Sequence, residues 1–208
     1  MNSIDKLAEL FQKFPGIGKR QARRFVYFLL HKDNGYIQEL INEIAQIKQE
    51  ITQCYECYRF FPQNGTNKCS ICNQENHTKQ LMIVEKDADL ENIHKTNLYA
   101  GKYFVLGGFI ASHEKKRSYA RTEQLLQHIK KEKERGNINE VIFGLSVSPE
   151  AEHTRMRLYA MIHEEYPDLI FTTLGRGLSS GTELEYSDIE TLKYALSSRI
   201  PQNKKQDI

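Results

Sequence analysis

The stretch Leu81-Met-Ile-Val-Glu85 is four apolar residues closed by a carboxylate, and it sets the reading of the chain around it. Three later runs, Tyr103-Phe-Val-Leu106, Val141-Ile-Phe143 and Leu169-Ile-Phe-Thr172, have the length and the β-branched or aromatic content of strands. Between them lie helical patterns, around Leu125, Leu126 and Ile129 and around Met156, Tyr159, Ala160 and Ile162. Strands alternating with helices predict an α/β fold whose mostly parallel sheet is flanked by helices. Glu85 would then stand at the C-terminal end of a parallel strand, where such sheets bind ligands.

Upstream the pattern is different. Ile4, Leu7, Phe11 and Phe14 recur at helical spacing and stop at Pro15-Gly16. A second helix is expected from about Lys19 to His31, with Ala22, Phe25, Val26 and Leu29 on one face. Ile37, Leu40, Ile41, Ile44 and Ile51 continue the period into a third. The join between the first two reads Phe14-Pro-Gly-Ile-Gly-Lys-Arg-Gln-Ala22. Gly16 and Gly18 flank one apolar residue directly before a helix, so backbone N–H groups can face a phosphate, helped by the helix dipole. Lys19, Arg20, Arg23 and Arg24 follow at once, and no acidic residue lies between Glu9 and Asp33. The chain as a whole carries only +2. A local basic face on a near-neutral protein suggests one polyanion-binding surface. The spacing looks like a helix–hairpin–helix motif, which grips the DNA backbone without reading sequence. A solvated basic helix is the blander alternative.

All four cysteines fall within nineteen residues, as Cys54-x-x-Cys57, eleven intervening residues, and Cys69-x-x-Cys72. Two close thiol pairs in a reducing compartment point to metal, and four thiolates can enclose a tetrahedral zinc ion with no open position. One structural zinc per chain is therefore expected, with His77 a bystander. Nothing approaches the ~20 apolar residues of a membrane span, and the N-terminus lacks a secretory pattern, which points to the cytoplasm. Four segments follow: a helical unit at 1–53, a zinc module at 54–78, a sheet domain at 79–174, and a C-terminal loop and helix at 175–208. The last carries Ile189, Leu192, Ala195 and Leu196 at helical spacing.

Glu85 is followed by Asp87, Asp89 and Glu91, which looks like the opening of a Toprim domain, the metal-dependent module of topoisomerases and primases. The catalytic version also needs an Asp-x-Asp pair after a later strand to hold magnesium. Here Phe143-Gly-Leu-Ser-Val-Ser-Pro-Glu150-Ala-Glu152 offers only Glu150 and Glu152, displaced onto a helix start. A magnesium-dependent nuclease or primase-like enzyme using these acids is the alternative to a non-enzymatic role. Leu174 to Tyr186 is glycine-rich but lacks the Gly-Lys-Ser/Thr of a phosphate loop.

In order, these motifs resemble the RecR family of bacterial recombination mediators across almost the whole chain. The matching strings are FPGIGKRQARRF from Phe14, CYEC and CSIC at the cysteines, IVEKDADLENIHKT from Ile83, YAGKYFVLGG from Tyr99, and RGLSSGTELEYSDIETLKYALSSR from Arg176. The resemblance implies a DNA-binding mediator of recombinational repair, with no catalytic residues. It implies an oligomeric clamp, typically a homotetramer, on single- and double-stranded DNA. It also implies work with RecO and RecF, loading recombinase onto strands coated by single-strand-binding protein. The sheet edge near Glu85, Glu150 and Glu152 would serve as a docking surface for RecO. The chain departs from the family's usual Asn-Pro-Thr-x-Glu-Gly-Glu at Ser146–Glu152, has His94 for a glutamate, and reads FIASHEKKRSYA after Gly108.

Overall fold

The computed structural model describes residues 2–74, 78–111, 120–175, 177–178, 181 and 183–199. His77, Arg176 and most of the FIASHEKKRSYA stretch lie outside the described residues. The chain divides into two compact units, 1–53 with 60–67, and 54–59 with 68–208.

The first unit is helical. α1 (Ser3–Phe11) starts at Asn2, whose side-chain oxygen accepts the Asp5 N–H at 2.9 Å. It ends ahead of Pro15, whose ring and missing N–H cannot continue a helix. α2 (Lys19–Leu30) and α3 (Asn34–Glu50) follow, the latter capped by Asp33 through the Tyr36 N–H. α1 and α2 bury Ala8, Ala22 and Val26, with Ile4, Leu7, Phe11 and Ile17 packed around them. The expected inner face of α2 is therefore present. α3 behaves differently: Ile37 and Leu40 are half-buried, and Ile41 and Ile44 are exposed. Ile51 is not helical, in correction of the expected third helix. It opens β1 (Ile51–Gln53), antiparallel to β2 (Phe60–Pro62), because its β-branched side chain favours extended backbone where α3 ends.

The second unit holds a four-stranded, all-parallel sheet in the order β4-β3-β5-β6. Its strands are β3 (Gln80–Val84), β4 (Lys102–Val105), β5 (Glu140–Gly144) and β6 (Ile170–Thr173). α5 (Asp87–Lys95), α6 (Thr122–Glu134) and α7 (Pro149–Glu165) make the crossovers. Leu81, Ile83, Phe104, Leu106, Leu125, Ile129, Val141, Phe143, Leu158 and Ile162 form the core. The α/β reading from the apolar runs holds, including the burial of Leu125 and Ile129. The helix expected around Met156 to Ile162 is present as α7, and most of the residues that marked it lie outside its buried side. Met156, Tyr159 and Ala160 are exposed, and the buried side is Ala151, Thr154, Leu158 and Ile162. Half of that side is small or polar, so hydrophobicity alone misplaces it: Thr154 is buried because its hydroxyl accepts the Ile110 N–H at 2.9 Å. A short α4 (Ser70–Asn73) precedes the sheet, and a 3-10 turn (Leu184–Tyr186) and α8 (Ile189–Ser197) follow it.

A buried polar group in α6 makes this unit sensitive to acid. His128 is 7% exposed, near Phe104, Glu132, Lys102, Glu56 and Lys131. Burial holds its imidazole below the ordinary value of 6.5, although Glu132 pulls the other way. The folded state thus rejects a proton that the unfolded chain accepts. The stability tied to a neutral His128 is intact above about pH 6.5 and is lost as pH falls below it. Unfolding measured from pH 7.5 to 5.5 is expected to show this loss, at most about 1.4 kcal/mol per pH unit, and His128→Gln to flatten it. An identical pH profile for the variant would exclude His128 as the source.

Candidate metal centre and nucleic-acid interface

The four cysteines converge. Their sulfurs all lie within 4.8 Å of one another, with Cys54, Cys57 and Cys69 buried and Cys72 half-buried. Cys57 Sγ and Cys69 Sγ are 3.6 Å apart, close to the edge of about 3.8 Å that four thiolates at ~2.3 Å from one tetrahedral ion would have. The first pair sits on a tight knuckle: the Tyr58 N–H donates to the Cys54 carbonyl, and the Cys54 N–H to the Arg59 carbonyl, both at 2.9 Å. Tyr58 takes a left-handed backbone conformation, φ 62°, costing a non-glycine residue about 1–2 kcal/mol. Its ring compensates by packing against Phe104, centroids 5.2 Å apart, with the Arg121 guanidinium 5.6 Å above it. The second pair is set by α4, with Cys69 its N-cap and Cys72 within it, and the Asn73 N–H donates to the Cys69 carbonyl at 3.0 Å.

Four sulfurs this close cannot all ionise unaided. Hydrogen bonding from Cys57 pulls the Cys54 thiol far down, while bonding to Cys54 pushes the Cys72 thiol far up. A divalent cation relieves that conflict, so the donor set fits a thiolate-bound metal such as zinc. Cys54, Cys57, Cys69 and Cys72 would hold it, and it would supply charge neutralisation and a cross-link, with no site left for substrate.

The knuckle is also joined to the sheet. The Val105 N–H donates to the Cys57 carbonyl at 2.8 Å, extending the edge of β4. Glu56, only 7% exposed, receives Lys68 at 3.2 Å and Lys131 of α6 at 3.8 Å. No spacing in the sequence marks Glu56, which stands between the cysteines, and its burial reveals this role.

On the first unit, the α1–α2 hairpin places Gly16 at φ 74°, a region open to glycine and strained for other residues. Gly18 has an ordinary extended backbone, φ −84°, and a Cβ there would meet nothing within 4 Å. The chain itself does not require glycine at Gly18, so the open backbone faces outward. As N-cap, Gly18 offers no side chain to the first N–H groups of α2, which have no partner within the helix. Lys19, Arg20 and Arg24 are exposed beside them. Arg23 is spent differently: its guanidinium meets Asp5 of α1 at 3.0 Å. Asp5 and Glu9 line a cleft of about 600 Å³ with Lys19, Arg20 and Arg23. The acid-free run from Glu9 to Asp33 therefore overstates the positive field, since α1 returns two carboxylates to it. No local spacing signals that pairing, because Asp5 and Arg23 are eighteen residues apart.

Glu85 directly follows β3 and is 8% exposed, paired with Lys86 at 3.0 Å. Glu150 and Glu152 lie in the first turn of α7, after β5. β3 and β5 are neighbours whose connections leave toward opposite edges, so these acids flank the switch point of the sheet. They are not gathered into a metal cage. Among the described residues, the only group of three or more His, Cys, Asp or Glu that could hold an ion is the four cysteines. Asp89 accepts the Lys86 N–H as part of the α5 cap, and Glu152 pairs with Arg155. Of the glycine-rich segment, Leu174 and Gly175 line a cleft of about 370 Å³ with Glu152, Arg155 and Tyr194. No described helix is long and apolar enough to cross a membrane.

Residues 4–48 match the family described as RecR, helix-hairpin-helix, and residues 79–170 match the Toprim domain. The chain is 32% identical over 202 residues to "Recombination protein RecR" of Ureaplasma parvum serovar 3, covering 94% of each chain. It is 32% identical over 198 residues to the protein so named in Bacteroides thetaiotaomicron, covering 94% of this chain and 92% of that one. For the Flavobacterium johnsoniae protein of that name the identity is 32% over 203 residues, covering 97% and 94%. A helical hairpin with a basic second helix, a four-cysteine knuckle pair and a parallel Toprim sheet thus occur in one chain, and the chain belongs to the RecR family of recombination proteins.

Proposed function

We propose that this chain is a DNA-binding mediator of recombinational repair and performs no chemistry on the strand. The observation that carries this is the hairpin before α2: Gly18 leaves the first-turn N–H groups uncovered, and Lys19, Arg20 and Arg24 stand exposed around them. Backbone N–H groups, the positive helix end and flexible cations suit phosphate oxygens and carry no base readout. Gly16 supplies the turn, and Arg23 positions α2 against α1 while remaining near the phosphate path. Zinc held by Cys54, Cys57, Cys69 and Cys72 is structural in this reading. Several copies, four by the family pattern, close into a clamp that retains single- or double-stranded DNA in the cytoplasm. RecO and RecF are the partners with which it loads recombinase.

Reconstitution tests this reading. On strands coated with single-strand-binding protein, the chain with RecO is expected to speed recombinase filament formation and to leave the DNA uncut and unextended. Magnesium-dependent nicking or primer synthesis, abolished by Glu85→Gln, would establish the enzymatic alternative instead.

The acids at the switch point take the docking role. Carboxylates facing a basic partner speed encounter and fix register more than they add affinity. Glu85→Gln with Glu152→Gln is expected to weaken RecO binding several-fold at low salt and little at high salt, leaving DNA affinity unchanged. Titration at two ionic strengths measures this. RecO affinity equal to that of the parent at both would remove these residues from the docking surface.

A further inference from the structure

We infer that Phe28 and Tyr36 form a stacking platform for the bases of single-stranded nucleic acid, at the far end of the basic stripe of α2. The inference rests on the DNA-binding reading of that helix and adds a strand preference to it. Arg20, Arg24 and Phe28 are spaced by four, so they share one face of α2, and all three are exposed. Eight residues of helix put Phe28 about 12 Å from Arg20 along the axis. Phe28 is 50% exposed and Tyr36, in the first turn of α3, is 39% exposed. Their rings meet edge to face, centroids 6.1 Å apart. Lys32 reaches over both, its Nζ 4.7 Å from the Phe28 centroid and 5.5 Å from that of Tyr36.

The stripe thus reads cation, cation, aromatic, cation, aromatic. A ligand that satisfies it offers negative charge at short intervals and flat faces between. Unpaired bases on a phosphate backbone do so: any base stacks on an aromatic ring regardless of its identity, and the neighbouring phosphates take Arg24 and Lys32. Duplex DNA offers only the phosphates, since its bases are stacked on one another. A second copy of the chain fits this face less well. A two-fold contact would bring the Arg20–Arg24–Lys32 stripe against its own equivalent, setting like charges together.

The test is titration of the full chain with a labelled oligothymidine and with a mixed-sequence duplex. Phe28→Ala and Tyr36→Ala are compared with Phe28→Trp and with the Arg20→Ala, Arg24→Ala pair. Each alanine variant is expected to weaken oligothymidine binding about tenfold while the duplex changes less than about twofold. Phe28→Trp should retain the parent's affinity, and the arginine pair should lose both ligands. Oligothymidine affinity unchanged in both alanine variants, or an equal loss for duplex, overturns the platform while leaving the arginine site standing. A shift in native mass with unchanged oligothymidine affinity also overturns it, assigning the face to copy–copy contact. If the arginine pair keeps both affinities, the underlying DNA reading falls and the platform with it.

Discussion

Replacing Cys57 with serine is expected to lower the melting temperature of the sheet-containing unit by about 6–20 °C, and stripping the metal with a chelator should do the same. The magnitude follows from breaking a buried charged assembly by removing one member, about 3–5 kcal/mol, which in a chain of this size shifts the midpoint by about 2–4 °C per kcal/mol. Three sulfurs would remain crowded within 4.8 Å with too few thiolates to enclose the ion. The damage has a defined route. The Cys57 carbonyl accepts the Val105 N–H, Tyr58 lies on Phe104, and Glu56 ties the knuckle to Lys131 of α6. Amide exchange is therefore expected to quicken in Lys102–Val105 and Thr122–Glu134, with α1 and α2 keeping their protection. Loss confined to the cysteine segment would show that the knuckle is merely attached to the sheet. Metal analysis finding no zinc in the purified protein, with Cys57→Ser as stable as the parent, would remove the metal altogether.

Much of this architecture was legible in the residues. Three of the four strands announce themselves because they are buried on both faces, so runs such as Leu81–Val84 are continuously apolar, while β6 at the edge of the sheet is only partly covered. The convergence of the four cysteines was legible because two short Cys-x-x-Cys pairs are the usual spacing of a four-thiolate metal site, and Cys54/Cys57 and Cys69/Cys72 have it. What stayed hidden are contacts decided by how elements meet. The buried side of α7 contains Ala151 and Thr154, which hydrophobicity undervalues, while the larger Met156 and Tyr159 face outward. The Arg23–Asp5 pair depends on the angle of the α1–α2 hairpin, and it sets a carboxylate of α1 against one of the four cations expected to meet phosphates. The bond from Val105 N–H to the Cys57 carbonyl joins main-chain groups, which leave no mark on residue identity. Ile51 shows the limit of periodicity, since a β-branched residue at a helix end satisfies both a helical stripe and the first position of β1.

The second large effect concerns Arg20 and Arg24. Neither makes an ion pair among the described residues, and both are exposed beside the uncovered N-terminus of α2. Converting both to alanine should leave the fold intact, because the buried side of this helix is Ala22 and Val26. Charge-assisted hydrogen bonds contribute about 1.5–3 kcal/mol each, so losing two weakens DNA binding by about a hundredfold or more. The loss should be nearly the same for every sequence, as expected for contacts to phosphates. Arg23→Ala should act otherwise, lowering the stability of the helical unit by up to about 1 kcal/mol, as for an exposed ion pair, with a smaller effect on DNA.

The most direct test of the central claim is the slope of log affinity against log salt for the parent and the Arg20→Ala, Arg24→Ala variant on the same DNA. Each lost phosphate contact removes about 0.7–0.9 from the slope, so the variant should be shallower by about 1.4–1.8, and weaker at ~0.15 M salt. Parallel lines with equal affinity, from a variant that is folded, would contradict the assignment of this helix to DNA.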